Sequence, residues 1–156
     1  MTAILASVAI GLFSATLEKV IALAILMPIV ASMGGNAGTQ TLTVAVRALA
    51  TKELTASNMY RIMWKETIVA FLNGCAFAVL IGIVTWIWFS DSTIGWVIGV
   101  AMIVNMLIAG IAGMAVPITL EHYKIDPAVA SSVFVTTITD IIGFVAFLGI
   151  ASLVLL

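Results

Sequence analysis

The sequence has 156 residues, of which 63% are hydrophobic and 8% are charged, and its formal net charge is -1. An ordinary soluble domain is roughly 45–50% apolar and roughly 25% charged, so these residues cannot coat a water-soluble globule, and we predict one membrane domain over residues 1–156. The six basic residues are too sparse to follow a phosphate backbone, and a single Cys75 and a single His122 cannot form a disulfide framework or a zinc cluster.

Five apolar segments follow one another along the chain, and a helix of about 20 residues crosses a bilayer. We therefore predict an all-α, polytopic membrane protein with five transmembrane helices. The predicted spans are residues 1–17, 20–46, 67–89, 94–120 and 127–156. The polar stretch over 47–66 is predicted to be a short amphipathic connection, and no soluble regulatory domain is expected.

The basic residues predict the orientation, because short cytoplasmic loops carry the excess of Lys and Arg. An N-terminus inside the cell leaves only Lys19 outside and places the other five basic residues in cytoplasmic connections. These are Arg47, Lys52, Arg61, Lys65 and Lys124. We predict a multi-pass protein of the plasma (inner) membrane, with its N-terminus in the cytoplasm and its C-terminus outside.

The second segment contains an unusual run of small and amide-bearing residues, from Ser32 to Thr41. Asn36, Gln40 and Thr43 recur at helical spacing and predict a polar stripe, which a helix facing only lipid would not tolerate. The glycines of this run are interpreted as sites of close helix packing. The stripe itself is expected to face water or another polar helix.

Asp140 lies about 20 Å along the fifth segment, near mid-membrane. A carboxylate at this depth costs at least about 2.5–3.5 kcal/mol, so it needs a partner, a wet cavity or a bound ion. Every Lys and Arg lies near a predicted interface, which makes a transient cation the natural partner. The alternative is a protonated Asp140 that makes an interhelical hydrogen bond.

Other polar residues of the fifth segment rank below Asp140. Ser132 and Thr136 lie one and two helical turns before it, although threonines in membrane helices usually bond their own backbone. Asp126 falls near the same helical face at the cytoplasmic end, where it could attract cations or could cap the helix that Pro127 begins. Asn73 and Asn105, in the third and fourth segments, are interpreted as interhelical hydrogen-bond partners.

Four segments carry a family resemblance: Pro28 to Thr41 (PIVASMGGNAGTQT), Arg47 to Ala50 (RALA), Asp126-Pro-Ala, and Thr136 to Gly143 (TTITDIIG). The glycine-asparagine motif of the first and the Thr-x-x-Asp-x-x-Gly ending of the last are both specific. Together the four segments closely resemble the transmembrane domain of the MgtE family of magnesium channels. The resemblance covers essentially the whole chain and implies a homodimer in the lipid bilayer, with a pore along the subunit interface. Typical members also carry cytoplasmic sensor domains, which no segment here resembles, and the sequence leaves open an excised pore domain or a minimal natural member.

The resemblance also implies roles for individual residues. Asp140 matches the central Mg²⁺-binding aspartate, and Asn36 matches the asparagine of the Gly-Gly-Asn motif. Thr136 lies where the family offers a backbone carbonyl oxygen near the ion, and Asp126 matches an acid at the cytoplasmic mouth. Further residues are expected to line the pore. These are Ser132, Gly35, Thr39, Gln40, Thr43 and Gly143.

The chemistry of these groups agrees with a hydrated Mg²⁺ ion, which is usually held by one or two carboxylates while it keeps most of its water. We expect a channel for Mg²⁺, with Mn²⁺, Co²⁺ or Ca²⁺ as other possible divalent cations. The alternatives are a carrier that exchanges Mg²⁺ against another cation and a structural membrane subunit without transport. An enzyme is not expected, because no second carboxylate or Ser/His pair lies at the depth of Asp140.

Overall fold

Six α-helices follow one another in the computed structural model, which describes residues 2–55 and 57–156. The described residues contain no strand, which confirms the all-α class. Met1, in the first predicted span, and Ala56, in the predicted connection, lie outside the described residues. The helices are α1 (Thr2–Gly11), α2 (Ser14–Lys19), α3 (Ile21–Ala50), α4 (Met59–Phe89), α5 (Ser92–His122) and α6 (Pro127–Leu155).

Four helices, α3 to α6, are long and apolar enough to cross a membrane, so the chain is a multi-pass membrane protein. The first predicted span is instead divided by a turn at Leu12 and Phe13 into helices of 10 and 6 residues. Each is shorter than the about 20 residues that a crossing helix needs. A fifth crossing, and with it the sides on which the termini lie, stays a prediction.

The helix boundaries correct the predicted polar connection over residues 47–66. Helix α3 continues to Ala50 and α4 already begins at Met59, so only residues 51–58 connect them. Arg61 and Lys65 are therefore helical. Arg, Lys, Glu and Met favour helices, and a helix end outside the hydrocarbon keeps its backbone bonds while its charged side chains reach water. Hydropathy marks where the apolar part of a helix ends rather than where the helix ends.

Helix α5 is the centre of the bundle and packs against α3, α4 and α6. Its small residues let the neighbouring backbones approach closely: a methyl group added at Gly95 would lie 2.7 Å from the carbonyl oxygen of Gly82 on α4. Helices in lipid associate mainly through such packing, because lipid tails are as apolar as the side chains they replace. Helix α4 packs mainly against α5 and exposes most of its apolar side chains, including Leu80 and Ile87.

Helices α3 and α5 run parallel in fixed register. Methyl groups added at Gly34 and Gly38 would meet Asn105 and Ala109, and one added at Gly113 would meet Leu42. The offset along the chain is the same in each of these three pairs. Helix α6 packs on the same central helix and also lies directly beside α3.

Candidate functional site

Helices α3 and α6 meet along a seam of small and buried residues. A methyl group added at Gly38 would lie 2.6 Å from Val135 Cγ1 and 3.5 Å from Thr139 Cγ2. Val135 and Thr139 are fully buried. Gly34 and Gly143, one turn further along, both pack against the Asn105 side chain. The pairing runs forward along α3 and backward along α6, so the two helices are antiparallel and Asn36 lies at nearly the depth of Asp140.

Helix α3 separates its buried and polar residues onto opposite sides. Gly34, Gly38 and Leu42 are buried, whereas the predicted stripe lies on the surface of the chain. The exposed polar residues are Ser32, Asn36, Thr39, Gln40, Thr43 and Arg47. The stripe predicted from the spacing is thus one continuous exposed face of a membrane-spanning helix.

Helix α6 presents a second polar stripe next to the seam. Ser132 is exposed, and Thr136 and Asp140 are half-buried. Each of them comes directly after a buried residue of the seam. On α3, Thr39 and Thr43 likewise follow seam residues. Because the helices are antiparallel, a step of one residue from the seam leads to the same side on both helices. These two rows therefore face a common groove.

The other predicted site residues lie around this groove. Gly35 is open, since a methyl group added there would meet no atom of the described residues within 4 Å. Asn36 and Gln40 are exposed farther around α3, on the side turned away from α5 and α6. Gly143 is buried against Asn105, so within this chain it serves helix packing. Its predicted place along a pore stays a prediction.

The threonine hydroxyls bond their own helix backbone, as is usual for threonine in membrane helices. Thr39 donates to the carbonyl oxygen of Gly35 at 2.8 Å, Thr43 to that of Thr39 at 2.8 Å, and Thr136 to that of Ser132 at 2.9 Å. The hydroxyl protons are thus occupied, and the oxygens remain free to accept hydrogen bonds. Acceptor oxygens suit a hydrated cation, because the water molecules around the cation point their hydrogens outward.

The Asp140 carboxylate has no partner in the part of the chain that the structure describes, neither a hydrogen-bond donor nor a basic side chain. Its interhelical hydrogen bond, the alternative drawn from the sequence, is therefore not formed within residues 2–55 and 57–156. These residues also contain no group of three or more His, Cys, Asp or Glu side chains that could hold a metal ion. One chain contributes a single carboxylate at this depth.

Asp126 caps α6, as one of its two sequence interpretations predicts. Its Oδ1 accepts a hydrogen bond from Ala128 N at 2.9 Å, and Pro127 occupies the first turn. The side chain is exposed, about 21 Å from the level of Asp140 along α6. A role in attracting cations to this end stays a prediction, which a pair of variants can separate from the cap.

Asp126→Asn is expected to keep the stability of the protein, because asparagine caps a helix as well as aspartate, whereas Asp126→Ala is expected to lose about 1 kcal/mol. Thermal unfolding in detergent measures this difference. If the negative charge attracts cations, Asp126→Asn and Asp126→Ala will both reduce cation flux at low ionic strength. Equal flux in wild type and Asp126→Asn would leave Asp126 with the cap alone.

Comparison with known proteins places these residues in a family. Residues 27–150, which include α6 up to Ile150 and nearly all of α3, match the family model MgtE, described as "Divalent cation transporter". The chain belongs to the MgtE family. The matched residues include every predicted metal-site and pore-lining residue. The family resemblance drawn from the sequence motifs is confirmed.

Curated members of the MgtE family match the same region. The chain is 36% identical over 143 residues to "Magnesium transporter MgtE" of Bacillus subtilis, 37% over 131 residues to that of Enterococcus faecalis, and 34% over 144 residues to that of Thermus thermophilus. These alignments cover 92%, 84% and 92% of this chain but 32%, 29% and 32% of the relatives. The chain thus spans about a third of the length of the MgtE relatives it matches.

Proposed function

We propose that the protein is a channel for divalent cations, Mg²⁺ above all, which pass in hydrated form along the groove between α3 and α6 at the level of Asp140. The observation that carries the proposal is the half-exposed Asp140 carboxylate, which has no partner among the described residues and lies in an apolar helix beside a continuous polar face of α3. A charge at this depth is tolerated where it faces water or an ion. Three relatives are named magnesium transporters, which supports the choice of ion.

The pathway is proposed to form between two copies of the chain. The polar faces of α3 and α6 are exposed in the single chain, and a membrane does not tolerate such a face against lipid. A symmetric second copy would cover it and would bring a second Asp140 to the same depth. Two carboxylates acting through water match the preference of Mg²⁺ for few protein ligands and a retained hydration shell.

Weak contacts to a hydrated ion also suit rapid conduction, since an ion must bind well enough to enter and loosely enough to leave. Thr136, Thr39 and Thr43 would supply acceptor oxygens to the ion's water molecules. Asn36 lies at the level of Asp140, but its side chain is on the side of α3 turned away from α6. It would contact the ion only on the side of α3 that faces the second copy.

Flux into liposomes tests the proposed function. Purified protein is reconstituted and Mg²⁺ entry is followed with a trapped fluorescent indicator, with empty liposomes as the control and Ca²⁺ or Mn²⁺ as competitors. A channel gives Mg²⁺ entry driven by the Mg²⁺ gradient and membrane potential alone. Entry that requires an opposing Na⁺ or H⁺ gradient would indicate an exchanger, and a folded protein without entry would contradict transport by this chain.

Cross-linking of cysteines tests the arrangement of the two copies. In a Cys75→Ser background, Gln40→Cys on the polar face of α3 is expected to link two chains in the presence of a short bifunctional thiol reagent. Leu80→Cys is the matched control, because Leu80 is 55% exposed on the apolar surface of α4. Efficient linking through Leu80→Cys and none through Gln40→Cys would contradict a pathway between the α3 faces.

A further inference from the structure

The Asn105 side chain of α5 packs against one glycine of each site helix. It is fully buried, and its Nδ2 donates to the carbonyl oxygen of Val30 on α3 at 2.7 Å. Methyl groups added at Gly34 and at Gly143 would lie 2.3 Å and 2.9 Å from Asn105 Nδ2. The planar amide therefore occupies space that the missing side chains of these two glycines leave.

The amide lies within one helical turn of the candidate site. Asn36 follows Gly34 by about 3 Å along α3, and Asp140 precedes Gly143 by about 4.5 Å along α6. Since α3 and α6 are antiparallel, both displacements along the helix axes point toward the same end of the bundle. The level at which Asn105 joins the two helices thus fixes the relative depth of Asn36 and Asp140.

The asparagine carries a cost that simple packing would avoid. Its Oδ1 has no hydrogen-bond partner within residues 2–55 and 57–156, although it is fully buried. An unpaired buried acceptor destabilises a fold, and an apolar side chain could fill the space without that cost. A thin amide that also donates to Val30 holds α3 and α6 at a separation and register that a freely rotating apolar group would not fix.

We propose that Asn105 is a positioning residue for ion transport: its amide, held between Gly34 and Gly143, sets the register of α3 against α6 and so the geometry of the site around Asp140. This inference rests on the proposed function. Asn105 does not touch the ion. It acts on apparent ion affinity through the two helices that carry the polar groups.

Magnesium flux measured against Mg²⁺ concentration tests the proposal, because it separates the half-saturating concentration from the maximal rate per folded protein. Asn105→Ala is expected to raise the half-saturating concentration about tenfold, which corresponds to about 1.4 kcal/mol. The maximal rate per folded protein should change little. If Asn105→Ala does not fold, Asn105→Ser, which keeps a small polar group, carries the same comparison.

Gly34→Ala provides the complementary change. Its methyl group would collide with the Asn105 amide, so the single variant should raise the half-saturating concentration as well. In Gly34→Ala/Asn105→Ala, the methyl group enters the space vacated by the amide, and the half-saturating concentration should return toward the wild-type value. Asn73→Ala is the matched control, because Asn73 is an exposed asparagine of α4.

The outcomes separate this inference from the proposed function. Wild type that transports, together with Asn105 variants that change only the amount of folded protein, would overturn the positioning role alone. An equal rise in Asn73→Ala would also overturn it. Folded wild type without any flux would overturn the proposed function and the positioning role together.

Discussion

Asp140→Ala is expected to reduce Mg²⁺ flux by about a hundredfold or more while the protein remains folded. Hydrogen bonds to a charged group are each worth about 1.5–3 kcal/mol, and in the proposed pair of chains the substitution removes one carboxylate from each copy. No side chain of the described residues depends on Asp140 for a hydrogen bond or an ion pair. Stability should therefore stay at the wild-type level or rise, since a buried charge is removed from the membrane.

Liposome flux normalised to folded protein, measured beside thermal unfolding, checks this expectation. Asp140→Asn keeps the shape and removes the charge, so it should lose nearly as much flux as Asp140→Ala. Glu121→Ala is the control, because Glu121 is an exposed carboxylate at the end of α5. Unchanged flux in Asp140→Ala would remove Asp140 from the ion pathway and would favour a structural role for the chain.

Gly113→Ala is expected to destabilise the protein by about 1–3 kcal/mol, the usual cost of overpacking a well-packed interior. The added methyl group would lie 2.8 Å from the carbonyl oxygen of Gly38 and 2.8 Å from Thr41 Cβ. Neither atom is the end of a flexible side chain, so α3 and α5 must move apart. Because α3 carries half of the candidate site, flux per folded protein should fall too.

Gly35→Ala is the matched control for packing, because a methyl group at Gly35 meets no atom of residues 2–55 and 57–156 within 4 Å. An exposed Gly→Ala change in a helix is neutral or stabilising by up to about 1 kcal/mol. The midpoint of thermal unfolding in detergent measures both variants. Equal midpoints for Gly113→Ala and wild type would contradict the close approach of α3 and α5.

The predicted spans were accurate where the signal is local. Hydropathy placed four crossing helices, and the Asp126-Pro127 pair placed the start of α6 at the residue where it begins. The polar stripe of α3 followed from the spacing of Asn36, Gln40 and Thr43, since helical periodicity alone decides which residues share a face. The depth of Asp140 followed from the rise per residue.

The break in the first segment was not predictable in this way. Residues 1–17 are mostly apolar and contain no charged side chain, and a turn at Leu12 and Phe13 leaves no mark in their hydropathy. The helical extensions into residues 47–50 and 59–66 were likewise hidden, because charged residues at a membrane interface fit a helix end as well as a loop. Both differences concern positions where composition permits more than one backbone conformation.

The choice of buried helix also needed the tertiary structure. The most apolar 18-residue stretches of α4 and α5 have the same mean hydropathy. Only 11% of this stretch is buried in α4, whereas 67% is buried in α5. In a soluble protein, a polar face marks the outside of a helix. In lipid both the outside and the inside are apolar, so the pattern of hydrophobic residues does not tell which face packs against protein.

The sequence by itself determined that this protein lies in a membrane, that it is helical, which family it resembles, that one carboxylate stands at mid-depth, and that another helix carries a polar face. Only the tertiary structure decided that α3 and α6 pack side by side with Asn36 level with Asp140, and that the Asn105 amide joins them between Gly34 and Gly143. The physical reason is that depth and helical face depend on neighbours along one helix. Register between helices depends on contacts between residues far apart in the chain, where one missing methyl group decides which backbones can approach.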